Sequence, residues 1–187
     1  MKKITAIALV LTMALSLFAG CGAEKAPETE APTEAPTEAA VSVEGTMEEL
    51  LNKVVEQNPV EFMGGVMPVD VADTSEDGLA NLFYFTGLQT PENITEAAVY
   101  EPMMGSIAFS MVMVRVAEGA DAMAVAEAMK ANINTRKWVC VEADDLMVAG
   151  YGDVVMLIMV SSQNGMTAQS FVDAFQTVVG AELNFTI

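Results

Sequence analysis

Leu146-Met147-Val148-Ala149-Gly150-Tyr151-Gly152-Asp153-Val154-Val155-Met156-Leu157-Ile158-Met159-Val160-Ser161 holds two apolar runs separated by a glycine-rich tetrad. Such runs on either side of turn residues read as a hairpin, Leu146–Ala149 paired with Val154–Ser161 across Gly150-Tyr151-Gly152-Asp153. The second run, Val154 to Val160, has seven residues and no polar side chain. A strand exposed on one face alternates apolar and polar residues, and a strand buried on both does not. Ile107 to Val116 reads in a similar way, ten residues apolar on both faces, but for Ser110, until Arg115. Two such strands set a sheet at the centre of the fold. They also call for cover on its second face, with a helix from Thr46 as the candidate.

Helical patterns flank these strands. In Thr46 to Gln57, Thr46 and Glu49 have the spacing of a capping box, and Met47, Leu50, Leu51, Val54 and Val55 make an apolar stripe. Asn58-Pro59 ends it. Leu79 to Phe85 is a short helix opened by Ser75 or Asp77 and stopped near Gly87. A third starts at Gly119-Ala120-Asp121 and runs to about Thr135, with Met123, Ala126, Met129 and Ile133 on one side. Thr167 caps a last helix, with Phe171, Val172, Phe175, Val178 and Val179 inward and Gly180 as its stop. Ala97 to Pro102 reads as a strand, Trp138 to Val141 as a short strand and Leu183 to Ile187 as an edge strand. The stretch up to Asp73, with Gly64-Gly65 and Pro68, reads as irregular or briefly extended. Strands with helices crossing them give an α+β fold, a two-layer sandwich with a mostly antiparallel sheet and helices packed on it.

The N-terminal region is of another kind. Lys2 and Lys3 precede Ile4 to Phe18, apolar but for Thr5, Thr12 and Ser16, and Ala19-Gly20-Cys21 follows. Fifteen residues fall short of the ~20 that span a bilayer. Basic, apolar and small-residue regions in that order are those of a signal peptide. The run closing on Cys21 resembles a bacterial lipoprotein signal. That resemblance implies residues 1–20 as signal peptide and a diacylglycerol, with palmitate-type acylation, on Cys21. Two acyl chains at ~0.8 kcal/mol per buried CH₂ make a stable anchor.

Residues 21–44 then hold the lipidated Cys21 and a linker. From Gly22 it is rich in Pro, Glu, Thr and Ala, with APTE twice in succession, and cannot bury enough surface to offset its ordering entropy. Proline and like charge extend such a chain. Residues 45–187 form one α+β domain, of common single-domain size.

The charge is −18 over the whole chain. Without Lys2 and Lys3 it is −20, and six glutamates against one lysine in the linker take −5, leaving the domain near −15. Such a surface argues against binding nucleic acid or anionic lipid through charge. After Cys21 only Cys140 remains, so no disulfide forms within the domain. Within Val139-Cys140-Val141 it reads as a small buried strand residue.

Three segments carry a further resemblance: Tyr100-Glu101-Pro102-Met103-Met104, Arg136-Lys137-Trp138-Val139-Cys140-Val141 and Gly152-Asp153-Val154-Val155. The core from about 79 to 176 resembles the domain of unknown function 4358 family, typically lipoproteins of anaerobic Gram-positive bacteria. That family implies no activity and no catalytic residue.

Chemical motifs are few. The chain has no histidine, which removes Ser-His-Asp and Cys-His sites and nearly all zinc sites. Asp73-Thr74-Ser75-Glu76-Asp77-Gly78 partly matches a calcium loop, but Tyr84 stands where a bidentate Glu is needed, so a solvated turn and helix cap is the reading kept. Glu142, Asp144 and Asp145, with Asp153 across the hairpin, are the candidates for a carboxylate pair. Fifteen methionines raise copper(I), with Met103-Met104 the pair outside the predicted core and Met111, Met113, Met156 and Met159 inside it.

No catalytic, cofactor-binding or metal-binding residue is therefore assigned, and no cofactor is expected. The expectation is a membrane-anchored extracytoplasmic lipoprotein, a non-enzymatic binding or envelope-assembly module. Its partners would be the membrane, through the lipid on Cys21, and a protein or envelope ligand. An enzyme acting on envelope polymers through carboxylates, or a passive structural domain, are the alternatives.

Overall fold

The computed structural model describes residues 41–187. The expected signal peptide, Cys21 and the expected linker as far as residue 40 lie outside them. Within them the elements run α1 (Met47–Gln57), β1 (Gly64–Val69), α2 (Glu76–Thr86), β2 (Ile94–Pro102), β3 (Phe109–Val116), α3 (Ala122–Asn132), β4 (Asp145–Tyr151), β5 (Val154–Val160), α4 (Ala168–Val179) and β6 (Phe185–Thr186). The six strands form one sheet in the order β1-β2-β3-β5-β4-β6, and every pairing is antiparallel. This is the α+β fold expected, an antiparallel sheet with helices packed on it.

The two apolar strands lie side by side at its centre, Phe109 opposite Val160 and Arg115 opposite Val154. Their alternate residues feed two cores. Phe109, Met111, Met113, Met156 and Ile158 meet α1 and α4 on one face, and Val112, Val114, Val155 and Leu157 meet α2 and α3 on the other. Each fully buried Leu, Met or Phe in these layers contributes about 1.5–3 kcal/mol of transfer free energy. The second face is thus covered, as strands without a polar side required.

Local signals act as read. Thr46 and Glu49 form the capping box of α1. Ser75 caps α2 and Asp121 caps α3. Thr167 opens α4, and Gly180, in the left-handed region, ends it. The third helix stops at Asn132, short of Thr135, and buries Val125 where Met123 was expected. The hairpin turn is tighter than the tetrad suggested: Tyr151 and Val154 pair, leaving Gly152-Asp153 as a two-residue loop. Gly152 has φ +57, and the Val41 carbonyl occupies the place a Cβ would take, so no side chain fits there.

Four expectations are corrected. Gly64–Val69 is a regular edge strand, with Pro68 tolerated because no strand lies beyond it. Trp138–Val141 is not a strand, being fixed instead by bonds from Val139 N–H to the Gly105 carbonyl and from Ala143 N–H to the Thr135 carbonyl. Cys140 is exposed, with φ +62, a conformation that continues neither strand nor helix. Residues 41–44, read as the end of a disordered linker, are bonded to the domain. The Val43 N–H and the Ser42 hydroxyl donate to the Asp153 carboxylate, and Asp153 N–H donates to the Val41 carbonyl.

Candidate functional site

The sheet has two distinct ends. The first gathers the finish of β4, the starts of β5 and β6 and the finish of β3, where the chain enters at Val41. Arg115, on the last turn of β3's pleat, faces Glu96 across the β2 pairing. Its guanidinium donates to Asp153 at 2.7 Å, to Glu96 at 3.4 Å and to the carbonyls of Val43 and Gly45. Glu96 also accepts from Met47 N–H at the start of α1. One planar fork with several donors therefore ties β2, β3, the hairpin loop and the entering chain together.

The second end gathers the start of β1, the finish of β2 and the start of β3. Here the Lys137 side chain is 0% exposed. Its ammonium lies 2.6 Å from a Glu101 carboxylate oxygen and 3.1 Å from the Ser110 hydroxyl, which itself donates to Glu101. The rings of Tyr84, Phe85 and Trp138 stand around it at 4.8, 5.2 and 5.6 Å. Burial pushes this ammonium below the ordinary lysine value, and the charge of Glu101 opposes that shift. Burial, and then Glu101, push the Tyr84 hydroxyl up. The sealed ammonium fixes the 134–144 loop to the sheet through Glu101 and Ser110. Trp138 Nε1 is buried beside it without a partner among the described residues.

Above this ion pair the surface is apolar. Met63 is 77% exposed, Met103 76% and Val139 69%, with Met104, Met67 and Tyr84 also exposed. They are held close by the backbone: Met103 N–H donates to the Met63 carbonyl, and Val139 N–H to Gly105. Large apolar side chains grouped on a surface mark an interaction site more often than scattered ones do. Methionine suits such a surface because it repacks against varied shapes. Two concavities open at the same end. One of about 480 Å³ is lined by Arg136, Trp138, Cys140, Glu142 and Asp144 among others. The other, of about 640 Å³, has Phe62, Ile107, Met166 and Phe171 for its apolar floor.

Of the acids named from the sequence, Glu142 and Asp144 line the first concavity, and Asp145 and Asp153 lie apart from it. Glu142 pairs with Arg136. Asp144 accepts from the Ser162 N–H and hydroxyl, which hold its carboxyl below the usual range. Asp145 accepts from Ala168 N–H at the start of α4, and Asp153 belongs to the Arg115 cluster at the other end. In the partial calcium loop, the Asp73 carboxylate accepts from Ser75, which lowers its pKa, and Ser75 caps Gly78 N–H. Among the described residues no three His, Cys, Asp or Glu side chains are placed to share a metal ion. Met111, Met113, Met156 and Met159 are core residues, whereas Met103 and Met104 are at the surface. Sequence reasoning missed the Lys137–Glu101 pair, whose partners lie in separate segments with no spacing rule to join them.

No family model, curated protein or solved structure matches the chain.

Proposed function

We propose that the protein is a non-enzymatic binding module, held on the extracytoplasmic face of the cell membrane by lipid on Cys21. It engages a protein partner with the sheet end that carries Met63, Met103 and Met104. The observation that supports this reading is the placement of that apolar surface. The chain enters at the Arg115 end, and the surface lies at the other end of strands about seven residues long, roughly 23 Å away at 3.3 Å per residue. A tether at one end leaves the other free to meet a partner. The acids, each bonded to a cation, a hydroxyl or a helix start, give less support to an enzyme working through carboxylates. The resemblance to the domain of unknown function 4358 family remains part of the proposal; its three segments supply both partners of the Lys137–Glu101 pair and one partner of Arg115, Asp153.

The test is site-specific photo-cross-linking in intact cell envelopes. A photoreactive residue at Met103 is expected to capture a discrete protein, and one at Lys53 is not. Equal labelling from both positions, or none from either, overturns the reading. Loss of palmitate labelling and of membrane retention in Cys21→Ser tests the anchor separately.

A further inference from the structure

The outer edge of β1 is an open edge of the sheet. β1 ends the sheet, and its register with β2 pairs Gly64 with Pro102, Gly65 with Glu101 and Val66 with Tyr100. In an antiparallel ladder, residues bond to the neighbouring strand in alternate pairs. Pro102 has no N–H, and Met103 N–H donates to Met63, so the bonded pairs are those of Met63, Gly65, Met67 and Val69. Gly64 and Val66 therefore turn both N–H and C=O outward, and Pro68 turns out only a carbonyl. Two donors and three acceptors in a row are a template for one more strand.

The side chains beside that template are selective. Met63, Gly65 and Met67 share the face of β1 that lies over α2, and Met63 and Met67 are exposed. Between them Gly65 leaves open space: a Cβ built there meets nothing within 4 Å. This is a notch with a glycine floor and methionine walls, beside the exposed Tyr84 and Met103. Its surroundings are acidic. Glu61 precedes the strand, Asp70 follows it, and Asp73, Glu76 and Asp77 come next, all exposed. Among the described residues the cations outside ion pairs are Lys53 on α1 and Lys130 on α3. A second copy of the domain would bring like charge to like charge, whereas a segment with lysine or arginine at its ends would complement the edge.

We infer that β1 takes an extended segment of a basic partner protein as a seventh strand, with one apolar side chain of that segment seated over Gly65 between Met63 and Met67. The inference rests on the proposed binding role and adds the partner's chemistry and the mode of docking.

The test uses the full chain and a synthetic peptide, Lys-Thr-Val-Thr-Leu-Thr-Val-Thr-Lys. Binding is expected to slow amide hydrogen exchange at Gly64 and Val66 by about tenfold or more. N-methylation of alternate peptide amides, or replacement of both lysines by glutamate, is expected to weaken binding by about tenfold or more, as is Gly65→Val. Gly65→Val fills open space in an extended strand, so its unfolding midpoint should be kept, which separates lost docking from lost fold. No binding at millimolar peptide, binding indifferent to N-methylation, or protection of the two amides by self-association each overturns the inference. Partner capture at Met103 that Gly65→Val leaves intact overturns it as well, while the binding role stands.

Discussion

Arg115 and Lys137 are both cations set against a glutamate of β2, Glu96 and Glu101, at opposite ends of that strand. They are held in different ways. Arg115 keeps part of its surface in water and spreads its donors over two carboxylates and two backbone carbonyls. Lys137 is sealed under three aromatic rings and leans on one carboxylate. A guanidinium fork can lose one partner and keep the rest. A buried point charge that loses its carboxylate has nothing comparable left, and the uncompensated desolvation falls on the fold. The entry end should therefore be robust to single substitutions, and the Met-rich end brittle.

The sharpest way to break that contrast is Glu101→Gln. It strands a buried ammonium and is expected to cost about 3–5 kcal/mol in urea unfolding. Adding Lys137→Met should recover most of the loss, since the pair removed together leaves no buried charge. A cost under about 1 kcal/mol for Glu101→Gln would erase the contrast. Arg115→Lys should cost less, about 1–2 kcal/mol, because only the fork contacts to Val43 and Gly45 disappear. Faster proteolysis between 41 and 45 would mark the same change. Thr46→Ala, next to that clamp, removes one bond of the capping box and should cost about 1 kcal/mol.

At the Lys137 end, Cys140→Gly relieves a left-handed residue and should stabilise by up to about 1 kcal/mol. The smallest effect concerns acid. The folded Asp144 carboxyl lies below its ordinary value, so it adds stability above about pH 4 that is lost as pH falls through the carboxylate range. Asp144→Asn should flatten that part of the stability curve and leave a constant offset between pH 6 and 8.

Local rules made some of this legible and long-range ones hid the rest. The α1 capping box, the unbroken Val154–Val160 run and the Gly180 stop are decided by residues within a few positions of each other. The same is true of helices on both sides of the sheet, since a strand with no polar face must be covered twice. β1 was obscured because an edge strand has little apolar alternation, and Gly64-Gly65 and Pro68 carry the composition of a loop. Trp138 to Val141 misled because aromatic and β-branched residues favour strands only where a neighbour offers a ladder. Here the loop is instead pulled onto the sheet by Lys137, whose partner Glu101 is 36 positions away in sequence. The apolar surface, too, comes from segments joined only by folding: Met63 before β1, Met103 after β2 and Val139 in the loop beyond α3.

The bonds from Arg115 and Asp153 to residues 41–45 also decide how the domain answers to being pulled. Tension arriving along the chain ahead of Val41 reaches the guanidinium and the hairpin loop before it reaches α1. It passes into β3 and the β4–β5 loop, beside the two innermost strands, through several bonds at once. The helix that follows in sequence is shielded from it. A pull on residues 41–45 meets the sheet before it meets the first helix.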